Sequence, residues 1–264
     1  MPVPPKILVL AGRRSSTLDP MAEAHGVSHK CVVPVAGVPM IERVFRAVDE
    51  AYPDAPVFVS IEDPAIIESL PTVRKLRGQG RLETVDAQHN IVDSVLHASR
   101  TTGFPLIITT ADNVLMTPAS LHQLAAEGEA EGADAIVVVA RKEDIRAAHP
   151  DGQRRFYEFK NGGFSNCNMF WLGSERALRA TEAFREGGQF AKKPDRIIKA
   201  FGILNLIRFR LGWHTIERMF GFISKRFGVK VRPMIVTDGR LAIDVDNERT
   251  HRVAEEILAR ETSA

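Results

Sequence analysis

Two cysteines in 264 residues, Cys31 and Cys167, cannot build a disulfide framework, and without a CxxC pair they offer no thiolate metal cluster. This scarcity predicts a reducing cytoplasmic setting. The opening Met-Pro-Val-Pro-Pro-Lys carries no basic n-region and no cleavage site before the first apolar run, so no export is expected. The chain also lacks the GxGxxG fingerprint of dinucleotide sites and the GxxxxGK(S/T) phosphate loop, which disfavours dehydrogenases and P-loop NTPases. The apolar run at 200–213 is interrupted by Asn205, Arg208 and Arg210 and falls short of the roughly 20 residues that cross hydrocarbon, so it cannot span a membrane. No nucleic-acid motif accompanies the basic residues, and neither DNA nor RNA is an expected partner. With no internal repeat, low-complexity tract or clear linker, residues 1–264 read as a single domain with a basic helical elaboration at about 185–230.

What is present points to a layered α/β protein. Hydrophobic residues make up 44% of the chain, enough for a sizeable core. Short apolar runs recur at 6–10, 56–61, 105–109 and 134–139, separated by segments with helical spacing. Such alternation predicts a three-layer fold in which helices cover a mostly parallel, Rossmann-like sheet. Ile41, Val44, Phe45 and Val48 space a helix over 40–51, a second opens near Asp93, and Thr117 with Pro118 forms the N-cap and first position of a third. A last helix is expected over 247–264, and strands over 156–159 and 168–172.

Charge is distributed unevenly although the formal net is only +2. Between Lys192 and Arg232 eleven Lys/Arg face only Asp195 and Glu217. Three readings fit this stretch: a lid or homodimer face packed on the core, a wall that recognises an anionic acceptor, or a peripheral contact with anionic membrane lipid.

In an open α/β sheet, ligands gather beyond the carboxyl ends of the strands, so the loop after the first strand is a candidate site. There Leu10, Ala11 and Gly12 lead into Arg13, Arg14 and Ser15. The glycine permits close backbone approach, and the guanidinium groups, hydroxyls and amides suit phosphate oxygens. The plainer alternative is a polar surface loop that carries two arginines.

Beyond that loop, Leu10-Ala11-Gly12, Leu18-Asp19-Pro20-Met21, Lys30, Pro34-Val35, Gly37 and Pro39-Met40-Ile41 fall in the order of LAGGxGTRLxPLT and PKxLLPVxGxPLI. This pattern resembles the nucleotidyltransferase superfamily of MobA-like molybdenum cofactor guanylyltransferases and sugar-1-phosphate nucleotidylyltransferases. The resemblance implies a glycosyltransferase-A-like fold and transfer of NMP from an NTP to a phosphorylated small molecule, with Mg2+ as cofactor and pyrophosphate released. It places Lys30 against the α-phosphate or the leaving oxygens. The family's second glycine is Arg13 here, its third is Ser15, its arginine falls on Thr17, and the proline before its lysine is His29. Arg13 or Arg14 is therefore expected to replace the phosphate-loop arginine.

The resemblance continues downstream. Ala87-Gln88-His89-Asn90 with Ser94 is similar to the segment that contacts the base, so Gln88 either reads a base edge or is a solvated strand-end residue. Asp112, after the strand Leu106-Ile-Ile-Thr-Thr, matches the acidic metal ligand, its alternative being a turn cap. Asp244-Val-Asp246 resembles the second metal motif; on a strand the two aspartates would face one side, Asp246 sharing the cation with Asp112 and the other capping the last helix. Asn166 and Asn168 match the acceptor strand, or are ordinary turn residues.

The acceptor class stays open among molybdopterin, sugar-1-phosphate and polyol phosphate. Two other functions compete: a nucleotide-sugar-dependent glycosyltransferase, disfavoured because Ala111-Asp112-Asn113 is not a DxD, and a catalytically degenerate nucleotide-binding module in which Arg13 and Ser15 have cost the loop its activity.

Overall fold

The structure, a computed structural model, describes residues 4–13, 18–181 and 213–262. Its strands are β1 (Lys6–Leu10), β2 (Pro34–Val35), β3 (Val38–Pro39), β4 (Val57–Ile61), β5 (Leu82–Asp86), β6 (Leu106–Thr110), β7 (Ala135–Arg141), β8 (Tyr157–Phe159), β9 (Gly162–Leu172) and β10 (Val231–Val236). The main sheet runs β10-β7-β9-β6-β1-β4-β5, with β8 paired to β9, while β2 and β3 form a separate hairpin. β1 lies parallel between β4 and β6, and β9 runs antiparallel to both β6 and β7.

β1 explains the three layers. Ile7, Leu8 and Val9 are all fully buried, as a central parallel strand covered on both faces requires. Successive side chains point to opposite faces. Ile7 and Val9 join Val44, Phe45, Val48, Val253 and Ile257 in one core. Leu8 joins Val95, Ala98, Ile216 and Phe220 in the other. Helices Met40–Ala51, Pro118–Glu131 and Glu248–Thr262 thus cover one face, and Ile91–Thr102 and Ile216–Phe227 the other.

The central apolar runs agree with the sequence reading to within a residue or two, and the structure corrects it elsewhere. β5 and the helices Pro71–Gly78 and Lys142–Ala148 have no counterpart in the expected elements. β5 buries only Leu82 and Val85, because a half-covered edge strand needs little apolar content. β10, just beyond the region read as basic elaboration and not among the expected strands, extends the main sheet beside β7. Its Pro233 is tolerated because the strand is at the sheet's edge. The fourth helix starts at Ile91, earlier than expected, since Asn90 caps it by accepting from the Asp93 amide at 2.9 Å. Thr117 caps Pro118–Glu131 as expected, in a reciprocal box with Ser120.

Within the basic stretch, residues 192–212 lie outside the described residues. In the part beyond them, Ile216, Met219, Phe220 and Ile223 pack on the sheet while Arg218, Lys225 and Arg226 face outward. Among the described residues no helix is long and apolar enough to cross a membrane.

Close packing between helix Pro118–Glu131 and β9 depends on Gly128, where an added Cβ would run into the Trp171 ring. Trp171 is buried between backbone elements and has little room to retreat. Gly128→Ala is therefore expected to destabilise the fold by about 1–3 kcal/mol. A urea titration should show a lower midpoint at unchanged slope; an unchanged midpoint would contradict this packing.

Candidate active site

The cleft opens at the carboxyl ends of β1, β4 and β6. Leu10, Ala11, Gly12 and Arg13 form one wall, Thr110, Ala111 and Asp112 another, and Gln88 and Ser94 a third. Its volume is about 450 Å³, within the range of small-molecule sites. Gly12 is needed for approach as expected, although the neighbour is protein: a Cβ there would meet the Ala87 Cβ at 2.6 Å.

Lys30 begins a short 3-10 turn, Lys30–Val32, that leads into the β2–β3 hairpin. Ala36 and Gly37 turn that hairpin with φ of 48° and 74°, and the residue needing the left-handed region most is a glycine. His251 holds the hairpin by hydrogen bonding to the Pro34 carbonyl at 2.7 Å. Lys30 Nζ then donates to Asp112 Oδ2 at 2.8 Å and to Asp246 Oδ1 at 2.6 Å. Burial works against the ammonium, but the two carboxylates outweigh it and its pKa is raised.

Each acid is fixed by local backbone. Asp112 follows β6, where Thr110 Oγ1 donates to its Oδ1 at 2.6 Å and its own carbonyl accepts the Val245 amide at 3.1 Å. That last bond ties the β6 loop to the 243–246 segment. Asp244 and Asp246 lie in irregular backbone rather than on a strand, and their side chains still converge. Carboxylate oxygens of Asp112, Asp244 and Asp246 lie within 4.8 Å of one another. Burial first, then Asp112 and Asp246, raises the Asp244 pKa well above the usual carboxylate range. Neither aspartate caps the last helix. Asn247 does, accepting from the Thr250 amide at 3.3 Å, while Thr250 Oγ1 receives the Asp246 amide at 2.9 Å.

Three carboxylates facing one ammonium leave local negative charge, and every donor is a hard oxygen. That set fits a divalent cation of the Mg2+ or Ca2+ type and suits soft metals poorly.

Arg13 is engaged by a residue absent from the sequence-derived set. Glu62, directly after β4, accepts the Arg13 amide at 3.1 Å and Arg13 Nε at 2.7 Å. A carboxylate following the buried run Val57–Ile61 has no packing reason to be there, the same signal that marks Asp112. His29 lies beside this pair, its Nε2 buried and 3.8 Å from Glu62 Oε1. Burial, then Arg13, lowers its pKa. Arg14 and Ser15 lie outside the described residues.

Gln88 sits in the cleft wall with its amide nitrogen turned back to the Asp86 carbonyl at 3.2 Å. Ser94 is buried and accepts the Gln88 backbone amide at 2.9 Å, so it shapes this loop. Leu18 and Ile91 border the same space with 46% and 41% of their surface exposed, unusual for large apolar side chains here. Asn166 and Asn168 do not line the cleft. Asn166 Nδ2 donates to Asn168 Oδ1 at 3.1 Å, and Asn168 adopts a φ of 50° where β9 shifts register against β7. They stand near the same end of the sheet, since Met169 pairs with Thr109 of β6.

A family model for the MobA-like NTP transferase domain matches residues 7–198. A solved structure named as a hypothetical transferase from Thermus thermophilus is similar over 94% of this chain and 100% of its own, at 21% identity and TM-score 0.76. A CMP:2-keto-3-deoxy-manno-octonic acid synthetase complexed with CTP is similar over 97% and 98%, at 13% identity and TM-score 0.59. A protein named as a glucose-1-phosphate thymidylyltransferase from Bacillus anthracis is similar over 97% and 95%, at 16% identity and TM-score 0.58. At such identities the likeness is one of fold. A search of curated protein sequences finds no match. The family match covers most of the chain and the strands that build the cleft, and on that basis the chain belongs to the MobA-like NTP transferase domain family, as a nucleotidyltransferase.

Proposed function

We propose that the chain transfers an NMP group from an NTP to a phosphorylated small molecule, with Mg2+ as cofactor and pyrophosphate as the second product. The observation that carries this reading is the meeting of Asp112, Asp244 and Asp246 beside Lys30 at the mouth of the cleft. Asp112 and Asp246 are assigned to the cation, with Asp244 as the third carboxylate beside it. When bound, Mg2+ supplies neutralisation of charge on the phosphate oxygens.

The chain's residues have the remaining work of binding and positioning. An acceptor phosphate oxygen forms the new bond to the α-phosphorus, the bond to the β-bridging oxygen breaks, and pyrophosphate keeps that electron pair. A phosphate monoester has a second pKa of about 6, so the attacking oxygen is already ionised near neutral pH and no general base is needed. Lys30 carries its charge throughout the neutral range and would turn from Asp112 and Asp246 toward the phosphates if those carboxylates held a cation. Leu10, Ala11, Gly12 and Arg13 border the triphosphate, while Gln88 offers its amide to a base edge. Leu18 and Ile91 supply the apolar flanks between which a base can lie. The acceptor is assigned to the same sheet end, near Asn166 and Asn168, in the class of molybdopterin, sugar-1-phosphate or polyol phosphate. Two buried, unpaired thiols suit a cytoplasmic setting, Cys31 being pushed up to about 12 by burial and then by Glu62.

The glycosyltransferase alternative loses support from Asn113, which is buried and donates to the Cys167 carbonyl at 2.9 Å, away from the cation position. The degenerate-module alternative draws on the hold of Glu62 on Arg13. An assay of pyrophosphate release with each NTP against a panel of phosphorylated acceptors separates the three. Release that requires the acceptor supports transfer, sugar transfer from a nucleotide-sugar supports the first alternative, and NTP binding without turnover supports the second.

Two further outcomes are expected. Lys30→Ala and Asp112→Asn should each lower kcat by about 10²–10³, equivalent to roughly 3–4 kcal/mol in the barrier, and a chelator should abolish turnover until Mg2+ is restored. Near-normal kcat in either variant removes that residue from the mechanism. A triphosphate must also compete with Glu62 for Arg13, so Glu62→Gln is expected to tighten NTP binding several-fold in calorimetry. Weakened binding would show that Glu62 itself holds the nucleotide site together.

A further inference from the structure

A second cluster of cation-binding side chains lies outside the cleft, on the far side of the segments that carry Lys30 and Asp246. His25, Glu248 and His251 bring one ligand atom each to within 4.8 Å of one another. His25 Nε2 lies 3.5 Å from Glu248 Oε1, close to the edge of a tetrahedral coordination shell, and the two imidazole rings are 4.6 Å apart. The cluster is formed by backbone that is already fixed. His25 closes helix Pro20–Ala24, donating its amide to the Met21 carbonyl at 3.0 Å. Glu248 and His251 are three residues apart on helix Glu248–Thr262 and so share a face.

The orientation of His251 is the independent observation. Its Nε2 is 2.7 Å from the Pro34 carbonyl. A carbonyl only accepts, so Nε2 carries a proton, and the nitrogen left for a metal in the neutral ring is Nδ1. Donating one ring N–H to a backbone carbonyl while the other nitrogen keeps its lone pair is how metal-bound histidines are oriented. His251 is 93% buried by this arrangement, its residual exposure being 7%. Glu255 lies beside this ring, with Oε2 3.7 Å from Nδ1 and Oε1 accepting the Ala36 amide at 2.9 Å.

We propose that His25, Glu248 and His251 form a structural site for a divalent transition ion of the zinc class, clamping the segment that leads to Lys30 onto the helix that follows Asp246. Two imidazoles and a carboxylate favour such an ion over Mg2+, whereas the all-oxygen set of Asp112, Asp244 and Asp246 has the opposite preference. The two sites therefore differ in ligand chemistry although each draws ligands from residues 244–251. Lys30 follows His25 through five residues and Asp246 precedes Glu248 by two, so an ion at the first site would fix the spacing at the second. The inference concerns binding alone and stands whether or not the chain transfers a nucleotide.

The test uses the full chain without an affinity tag, stripped by chelator, and titrated with Zn2+ against a chromophoric chelator in excess Mg2+ and without nucleotide. One Zn2+ per chain is expected. His25→Ala and Glu248→Gln should each weaken it by at least ~10-fold, and Asp112→Asn should leave it unchanged. Co2+ in place of Zn2+ should give the visible absorption of a four- or five-coordinate nitrogen-ligated ion. Far-UV circular dichroism of each stripped variant checks that the fold is retained, and exposed Glu248 provides the milder change should His25→Ala unfold. Failure to bind one equivalent, binding that survives both variants, or binding lost in Asp112→Asn would each overturn the proposal.

Discussion

The contact on which the site depends is the ammonium of Lys30 held between Asp112 and Asp246. Three distant parts of the chain must fold correctly for it to form: the turn after residue 29, the end of β6, and the segment before the last helix. Partial burial of charge is costly unless compensated. Lys30 meets that cost with two carboxylates, and the carboxylates meet theirs with Lys30, the Thr110 hydroxyl and a shared backbone bond from Val245 to Asp112. The arrangement also leaves more negative than positive charge at one point. That imbalance is the electrostatic reason to read the cluster as a cation site rather than a structural ion pair.

Much of this is legible from residue order. A carboxylate just beyond a buried strand has no role in packing, and this picks out Asp112. The Pro-Val-x-Gly-x-Pro run after Lys30 marks a tight hairpin, and Ala36 and Gly37 do adopt left-handed backbone there. The buried strands are legible for the same reason, since strands covered on both faces are continuous in apolar residues. What escapes has weaker local signal. β5 and β10 are edge strands whose exposed positions break the apolar pattern. Strand alternation over 243–246 would put Asp244 and Asp246 on one side, but that segment is irregular, and the capping read for Asp244 belongs to Asn247. Glu62 carries the same strand-end signal as Asp112 but escapes because no motif of the resemblance falls on it and its partner, Arg13, is distant in sequence.

Glu62 also changes how the phosphate loop is understood. Arg13, in place of the family's second glycine, brings positive charge, and in this structure the Glu62 carboxylate answers it. The loop is thus closer to neutral than its two arginines suggest. Affinity for a triphosphate then depends on how much more strongly Arg13 holds phosphate oxygens than it holds the Glu62 carboxylate. His29 stands beside this carboxylate, its Nε2 3.8 Å from Glu62 Oε1.

On the proposed function, Asp112 and Asp246 would hold a cation, leaving Lys30 to contact the phosphates. A crystal structure with Mn2+ and a non-hydrolysable NTP, with the ion located by its anomalous scattering, tests this most directly. The account predicts Mn2+ between the Asp112 and Asp246 carboxylates and Lys30 Nζ in contact with a phosphate oxygen. Mn2+ bound elsewhere, or Lys30 still bridging both aspartates beside a bound triphosphate, would contradict it.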